Sequence, residues 1–266
     1  MRNTVCLRCP AKVNLFLEVL GKRADGYHEI ATLMAPVSLY DTLELAAAER
    51  DVMEVEPGGA APADRTNTAW KAIDALRRSH AVPPLRIRLR KRIPSGAGLG
   101  GGSSDAAGAV RAANGAFGLG LSVADESAVL ALVGSDTAFF AHGGWAECTG
   151  RGEVVRPVAG RRLLLVIVAP PFECLTRDVY ARYRRAGPRR RRGWFNRLEE
   201  PAFALRPELA RIKREMSRLP FARVQMTGSG SAIFGVCRDA RAQKRLAAEC
   251  RKAGWGKVFA VRTLDR

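Results

Sequence analysis

The sequence predicts an α+β protein with two domains, and three observations support this. Several strand-like runs occupy the first third of the chain, and a glycine- and serine-rich stretch near residue 100 precedes an alanine-rich segment. The second half has the element order β-α-β-β-α-β, which is typical of a ferredoxin-like domain. We therefore expect a β-rich N-terminal domain over residues 1–157 and a ferredoxin-like C-terminal domain over residues 158–266.

The N-terminal domain is predicted to consist mainly of strands and two helices. Partly alternating apolar residues predict strands at residues 13–20, from about residue 30, at residues 41–45 and at residues 52–56. Apolar residues recur at helical spacing from Thr68, with Asn67 placed as the N-cap. Residues 85–89 alternate apolar residues with arginine, which predicts a strand with a cationic face. An alanine-rich helix is then expected to end near Gly115.

The second half is predicted to contain four strands and three helices. The strands are placed at residues 163–169, on either side of residues 227–231, and at residues 258–261. A short helix is expected at residues 177–185. Amphipathic spacing predicts a longer helix from Pro207, where proline suits the first turn, and another helix over Ala240–Lys252.

The stretch at residues 94–104, PSGAGLGGGSS, has the features of a phosphate-binding loop, and we call it the glycine loop. Glycine permits positive φ and a close approach of the backbone to a ligand. The helix that follows directs backbone N–H groups and the positive end of its dipole at one point. Two serine hydroxyls add donors, and one of them could contact Mg²⁺ bound to a polyphosphate. The loop therefore predicts a polyphosphate site.

Other interpretations of the glycine loop fit less well. Gly96, Gly98 and Gly101 satisfy the GxGxxG fingerprint of dinucleotide-binding domains, but several strands precede the loop here, whereas that fingerprint usually opens the first βαβ unit. A Walker A loop is excluded, because no Gly-Lys-Ser/Thr follows. A purely structural glycine turn stays open, although so many glycines carry a large entropic cost unless the backbone approaches a ligand.

Charge is the unusual feature of the composition. The chain has 44 Lys and Arg against 26 Asp and Glu, a formal net charge of +18. Such an excess suits nucleic acid, anionic small substrates or a solvated surface. The arginine tract at residues 189–192 lacks interleaved aromatic residues and a surrounding nucleic-acid-binding motif. We interpret it as a solvated loop, with contact to a polyanion as the alternative.

The cysteines and the N-terminus predict a cytoplasmic protein. Cys148, Cys174, Cys237 and Cys250 are expected to be buried free thiols. Residues 6–9 have CxxC spacing, but no second pair of ligands follows, so no zinc site is predicted. The N-terminus does not fit a secretory signal, and no apolar run has the length of a membrane span.

Four segments together resemble the GHMP kinases, the superfamily of galactokinase, homoserine kinase and mevalonate kinase. Residues 94–107, PSGAGLGGGSSDAA, resemble its ATP-binding motif. Residues 10–17, PAKVNLFL, and residues 227–231, TGSGS, resemble its first and third motifs. Residues 25–30, DGYHEI, resemble the substrate-side signature of the branch that acts on 4-diphosphocytidyl-2-C-methyl-D-erythritol. These segments span nearly the whole chain.

The resemblance implies a two-domain kinase fold with the active site in the cleft between the domains. The implied reaction is ATP-dependent phosphorylation of the 2-hydroxyl of 4-diphosphocytidyl-2-C-methyl-D-erythritol, in the non-mevalonate route to isoprenoid precursors. Asp136 would be the base that accepts the hydroxyl proton, and Lys12 would stabilise charge beside it. ATP and Mg²⁺ are the implied cofactors, without a dedicated metal cage made by the protein.

The remaining site residues also follow from the resemblance. The ATP-binding positions are Pro94, Gly96, Gly98, Leu99, Gly100, Gly101, Gly102, Ser103, Ser104 and Asn67, the last beside the adenine. The substrate-binding positions are Asn14, Tyr27, His28, Thr176, Gly228 and Ser229. Tyr27 and His28 are expected at the cytosine. Asn14 and Thr176 are expected at the methylerythritol diphosphate, and residues 228–230 would close the site.

The expected partners are the small-molecule substrate and ATP, without a membrane and without nucleic acid, and the expected state is a monomer or weak homodimer. Two alternatives stay open: another GHMP kinase, of the homoserine or mevalonate type, and a polyanion- or RNA-binding protein derived from one. The sequence departs from the family pattern at Cys9, at Thr137 and Ala138, and at Arg197, where the family has an aspartate. These departures affect mainly the substrate side of the site.

Overall fold

The computed structural model describes residues 4–56, 61–184 and 193–265. The arginine tract at residues 189–192, which we interpreted as a solvated loop, lies outside the described residues. The strands in these ranges are β1 (Val5–Lys22), β2 (His28–Ala47), β3 (Val52–Val55), β4 (Leu85–Arg90), β5 (Ala146–Gly150), β6 (Val154–Pro157), β7 (Leu164–Ala169), β8 (Phe195–Asn196), β9 (Arg223–Met226), β10 (Ile233–Cys237) and β11 (Lys257–Arg262). The helices are α1 (Thr68–Leu76), α2 (Gly101–Phe117), α3 (Val123–Ala131), α4 (Thr137–His142), α5 (Thr176–Arg182), α6 (Glu199–Leu205), α7 (Pro207–Arg218) and α8 (Ala240–Lys252).

The first sheet has the strand order β3-β4-β2-β1-β8, and β5 joins it beside β2 with β6 as its neighbour. The long antiparallel pair of β1 and β2 forms its centre, and irregularities in their register bend both strands. The alanine-rich helix α2 lies close against β1. At Gly108 the approach is so close that a Cβ would come within 2.5 Å of the Cys9 sulfur. Helices α1, α2 and α4 close the core on this face of the sheet.

The second sheet is antiparallel with the order β11-β7-β10-β9. Helices α7 and α8 cover one face, where α7 buries Leu209, Ile212 and Met216. The other face packs against the first sheet, since Ile167 and Phe234 share a core cluster with residues of β1 and β2. This arrangement brings the turn at residues 227–231, the TGSGS turn, next to β1.

The α+β class and the ferredoxin-like element order are confirmed. Helix α7 begins at Pro207, α8 spans the predicted residues, and the Asn67 side chain caps α1 by accepting the N–H of Ala69. All six cysteines are free, and the four that we expected to be buried are buried. The division near residue 157 stays a prediction. Among the described residues, no helix combines the length and apolar character that crossing a membrane requires.

Three predicted boundaries are wrong. The strand predicted at residues 13–20 is longer, since β1 spans Val5–Lys22. The segments from residue 30 and at residues 41–45 form one continuous strand, β2, because β1 pairs with it along its length. Helix α2 begins at Gly101 and so contains the last four residues of the glycine loop. The cationic face predicted for β4 is largely neutralised, since Arg88 pairs with Glu54 and Arg90 pairs with Glu56.

Candidate active site

A cavity of about 1250 Å³ lies where the glycine loop, β1, the start of α5 and the TGSGS turn meet. Single-ligand pockets usually measure roughly 300–1,000 Å³, so this cavity has room for two substrates together. Six cations and three carboxylates of the described residues line it: Lys12, Lys22, Lys91, Arg151, Arg177 and Arg184 against Asp25, Asp105 and Asp136. The excess of positive charge suits polyanionic ligands.

The glycine loop crosses one wall of this cavity and touches the TGSGS turn. Gly96, Gly98 and Gly100 alternate along it with φ of +61°, +72° and +72°. A Cβ at Gly98 would lie 2.3 Å from the backbone oxygen of Thr227, so only glycine fits there without displacing backbone. The close contact places backbone from the second half of the chain directly beside the loop.

Two helix N-termini meet at the glycine loop. Ser104 donates the first α-helical hydrogen bond of α2, to Gly100 at 2.9 Å, so the N–H groups at residues 101–103 have no partner within the helix. The hydroxyl of Thr68, at the start of α1, donates to the backbone oxygen of Gly102 at 2.7 Å. The positive ends of both helix dipoles therefore lie at one wall, where phosphate binds favourably.

Lys12 and Asp136 form an ion pair inside the cavity. The distance between Lys12 Nζ and Asp136 Oδ2 is 3.1 Å. Asp136 precedes α4, and its side chain makes no capping hydrogen bond to that helix. Its carboxylate is 30% exposed, whereas the Lys12 side chain is 3% exposed. The pair therefore presents a carboxylate to a ligand and a cation behind it, beside the glycine loop.

A chain of hydrogen bonds fixes the position of Lys12. Its ammonium donates to Asn14 Oδ1 at 2.7 Å, and the Asn14 amide donates to Thr32 Oγ1 at 2.9 Å. Thr227 Oγ1 donates to Asn14 Oδ1 at 3.2 Å and accepts the Asn14 backbone N–H at 2.9 Å. Asn14 is thus engaged in holding Lys12 and linking both sheets, and its contact with substrate stays a prediction.

Aromatic side chains also line the cavity. The His28 ring stacks on Tyr180 of α5, with centroids 4.8 Å apart at 28°, and Tyr183 meets the same ring edge-on. Tyr27 is 53% exposed, with the Arg151 guanidinium 5.0 Å from its ring centroid. Burial, with a smaller effect of Lys22, lowers the pKa of His28, so the imidazole is neutral at physiological pH and offers one donor and one acceptor.

A buried charged cluster, missed by sequence reasoning, lies below the glycine loop. The Lys91 ammonium contacts both the Asp41 and the Asp105 carboxylates, and all three side chains are at most 6% exposed. Burial, together with the nearby Asp41, raises the pKa of Asp105 to about 6, and Lys91 opposes that shift. Asp105 directly follows the loop in the sequence. An acidic residue among so many small ones was the sequence signal that could have indicated this cluster.

Nearly all of the predicted site residues line this one cavity. The exception is Ser104, which is 2% exposed and lies below the cavity surface. Asn67 lines the cavity, but its side chain is also engaged in capping α1 and in donating to the Pro62 oxygen. The hydroxyls of Thr176 and Ser229 lie 3.0 Å apart and join α5 to the TGSGS turn. Sequence reasoning missed Tyr180 and Tyr183, since nothing local marks them as partners of His28.

Arg197, where the sequence departs from the family pattern, forms an ion pair with a buried glutamate. Its guanidinium Nε lies 2.9 Å from Oε1 of Glu18, a carboxylate on β1 with a side chain that is 2% exposed. An aspartate at residue 197 would place two carboxylates together in a buried site. The arginine is therefore matched to the glutamate of this chain.

Comparison with known proteins agrees with this geometry. The GHMP kinases N terminal domain matches residues 67–144, and the GHMP kinases C terminal domain matches residues 181–254. A relative from Shouchella clausii (strain KSM-K16), named 4-diphosphocytidyl-2-C-methyl-D-erythritol kinase, is 37% identical over 251 residues, which cover 86% of this chain and 84% of that one. The chain belongs to the GHMP kinase family.

Two further relatives of this GHMP kinase cover almost all of it. One from Bacillus cytotoxicus (strain DSM 22905 / CIP 110041 / 391-98 / NVH 391-98) has the same name and is 36% identical, over 97% of this chain and 96% of its own. A crystal structure of 4-(cytidine 5'-diphospho)-2C-methyl-D-erythritol kinase has a TM-score of 0.82 and 35% identity, and covers 97% of this chain and 99% of that chain. As a GHMP kinase, the protein is an ATP-dependent small-molecule kinase.

Proposed function

We propose that this GHMP kinase transfers the γ-phosphoryl group of ATP to the 2-hydroxyl of 4-diphosphocytidyl-2-C-methyl-D-erythritol, in the non-mevalonate route to isoprenoid precursors. The observation that carries the proposal is the ion pair of Lys12 and Asp136, 3.1 Å apart beside the glycine loop in a cavity large enough for both substrates. The names of the relatives support the choice of alcohol.

In the proposed reaction, the substrate hydroxyl attacks the γ-phosphorus while ADP leaves from the opposite side. Asp136 accepts the hydroxyl proton, and Lys12 stabilises both the carboxylate and the negative charge of the transferring group. The glycine loop and the starts of α1 and α2 hold the phosphates through backbone N–H groups. Positioning and charge stabilisation supply most of the rate enhancement in phosphoryl transfer, which fits a site with few reactive groups.

The aromatic side chains of the cavity are proposed to hold the cytosine. A neutral His28 can both donate to and accept from the base edge, and Tyr27 offers an exposed ring for packing. Tyr180 fixes the imidazole by stacking on it. Homoserine and mevalonate have no base for these side chains to recognise, so the site favours the cytidine substrate over the alternatives within the family.

Mg²⁺ is proposed to bind together with ATP. The described residues contain no cluster of three or more His, Cys, Asp or Glu side chains around one point. Mg²⁺ usually keeps several waters and binds through substrate phosphates with one or two protein oxygens. The hydroxyl of Ser103, a residue that lines the cavity in the first turn of α2, is the proposed protein oxygen. The ion would neutralise phosphate charge during transfer.

Six free cysteines fit a reducing compartment, and we propose a cytoplasmic enzyme that acts as a monomer or weak homodimer.

The test is ATP-dependent phosphorylation of 4-diphosphocytidyl-2-C-methyl-D-erythritol by wild type and by Asp136→Asn. Loss of the base is expected to lower kcat by roughly a hundredfold or more. Asp239→Asn is the matched control, because Asp239 also precedes a helix but caps α8 on the other side of the second sheet. Homoserine and mevalonate serve as competing acceptors. A folded wild type that phosphorylates one of them, and leaves the cytidine substrate unchanged, would contradict the proposal.

A further inference from the structure

The cluster of Asp41, Lys91 and Asp105 joins three separate elements below the glycine loop. Asp41 lies on β2, Lys91 directly follows β4, and Asp105 lies in the second turn of α2. The Lys91 ammonium bridges the Oδ2 atoms of both carboxylates. Asp41 is fully buried and does not line the cavity, so it acts on a ligand only through other residues.

Asp41 holds both ends of the glycine loop. Its Oδ1 accepts the backbone N–H groups of Arg92 at 2.6 Å and Ile93 at 2.9 Å, the two residues that precede Pro94. Its Oδ2, through Lys91, is tied to Asp105, which follows Ser104. One carboxylate on the central strand of the first sheet therefore anchors the start and the end of the loop.

We propose that Asp41 is a positioning residue for nucleotide binding, because it fixes the two ends of the glycine loop and thereby the N–H groups that meet the phosphates. The inference rests on the proposed assignment of this loop to the phosphates of ATP. Preorganised donors bind more tightly than mobile ones, since ordering them at the moment of binding opposes association. Loss of the anchor therefore weakens ATP binding and leaves the pair of Lys12 and Asp136 in place.

Substitution by asparagine affects the two carboxylates of the cluster differently. An amide at position 41 must keep its oxygen toward the N–H groups of Arg92 and Ile93, so its NH₂ group meets the Lys91 ammonium, donor against donor. Asp105 Oδ1, by contrast, is buried without a hydrogen-bond partner among the described residues. An amide at position 105 can turn its NH₂ group to that side and keep its oxygen toward Lys91. Asp41→Asn therefore breaks the link from Asp41 through Lys91 to the end of the loop, whereas Asp105→Asn retains that link.

The experiment measures KM and kcat for ATP, KM for the alcohol, and the Kd for ADP by titration calorimetry. Asp41→Asn is expected to raise KM for ATP and Kd for ADP about tenfold, the effect of losing a charge-assisted hydrogen bond, and to change kcat less than about threefold. Asp105→Asn is expected to change KM for ATP and Kd for ADP by less than about threefold, since its hydrogen bond to Lys91 persists.

Asp51→Asn is the matched control away from the loop. Asp51 also accepts a backbone N–H, from Leu85 at 2.8 Å, and binds the Arg77 guanidinium. This variant is expected to lose stability with KM for ATP unchanged. An Asp41→Asn enzyme with wild-type KM and Kd, or with its loss confined to kcat, overturns the inference. Failure of the wild type itself to bind ATP would instead contradict the proposed function.

A measurement on the wild type keeps the inference testable if Asp41→Asn does not fold. Hydrogen–deuterium exchange without nucleotide should show the amides of Arg92 and Ile93 protected as strongly as those of the paired residues of β4, because both donate to a buried carboxylate. Exchange of these two amides at unprotected rates overturns the inference.

Discussion

The contact between the glycine loop and the TGSGS turn can be tested by replacing Gly98 with alanine. Gly98 has φ of +72°, and Gly118, after α2, has φ of +60°. Any residue with a Cβ loses about 1–2 kcal/mol in this left-handed region. At Gly118 a Cβ would meet no atom within 4 Å, so Gly118→Ala is a control for the backbone conformation alone.

The surroundings of Gly98 add a second loss. Its Cβ would lie 2.3 Å from the Thr227 oxygen and 3.1 Å from the Gly230 oxygen, and both are backbone atoms that move only with their loop. Overpacking in a close-packed region usually destabilises by about 1–3 kcal/mol. Gly98→Ala is therefore expected to lower the free energy of unfolding by about 2–5 kcal/mol in total, against about 1–2 kcal/mol for Gly118→Ala.

Urea unfolding of the two variants measures this difference, and steady-state kinetics measures its effect on the site. Because relief of the clash displaces the loop or the TGSGS turn, Gly98→Ala is also expected to lower kcat/KM for ATP by roughly tenfold or more. Gly118→Ala should keep kcat/KM near that of wild type. Equal losses of stability in the two variants, or full activity of Gly98→Ala, would refute the reasoning.

Two further predictions concern buried carboxylates. Arg197→Met removes a guanidinium that contacts the buried Glu18 carboxylate and is expected to lower the free energy of unfolding by about 1.5–3 kcal/mol, the range for a hydrogen bond to a charged group. Most of that loss should be restored by Glu18→Met in the same chain, and a double variant no more stable than the single one would contradict this. The pKa of Asp105 is raised to about 6, above the value of about 3.9 for an unfolded chain. The stability that its protonated form gives the wild type is therefore lost as pH rises from about 4 through 6. Between pH 4.5 and 7.5, Asp105→Asn is expected to gain about 2 kcal/mol of stability relative to wild type, and a difference independent of pH would count against it.

Local signals in the sequence predicted those elements that depend on neighbouring residues. Asn67 and Pro207 mark the starts of α1 and α7, because capping and the fixed φ of proline act within a single turn. The glycine loop was recognised for the same reason. Helix α2 was placed too late, since its first turn consists of glycines and serines, which on their own favour loops.

The parts that the sequence did not reveal depend on contacts between distant residues. Lys91 meets Asp41 across 50 positions, and no pattern near either residue indicates the other. The stacking of His28 on Tyr180 likewise requires β2 and α5 to meet. Strand β8 has two residues, Phe195 and Asn196, too few for any periodicity. In each case the packing of the two sheets decides the contact.

The short strand β8 also bears on how the chain folds as it is synthesised. Phe195 and Asn196 pair in parallel with Phe16 and Leu17, so the edge of the first sheet is completed by residues from the second half of the chain. Until those residues leave the ribosome, β1 has unpaired N–H and C=O groups there, which invite pairing with other chains. After β6 has been synthesised, about forty further residues must follow before β8 is available to cover this edge. During that interval the nascent first sheet is exposed to pairing with other chains.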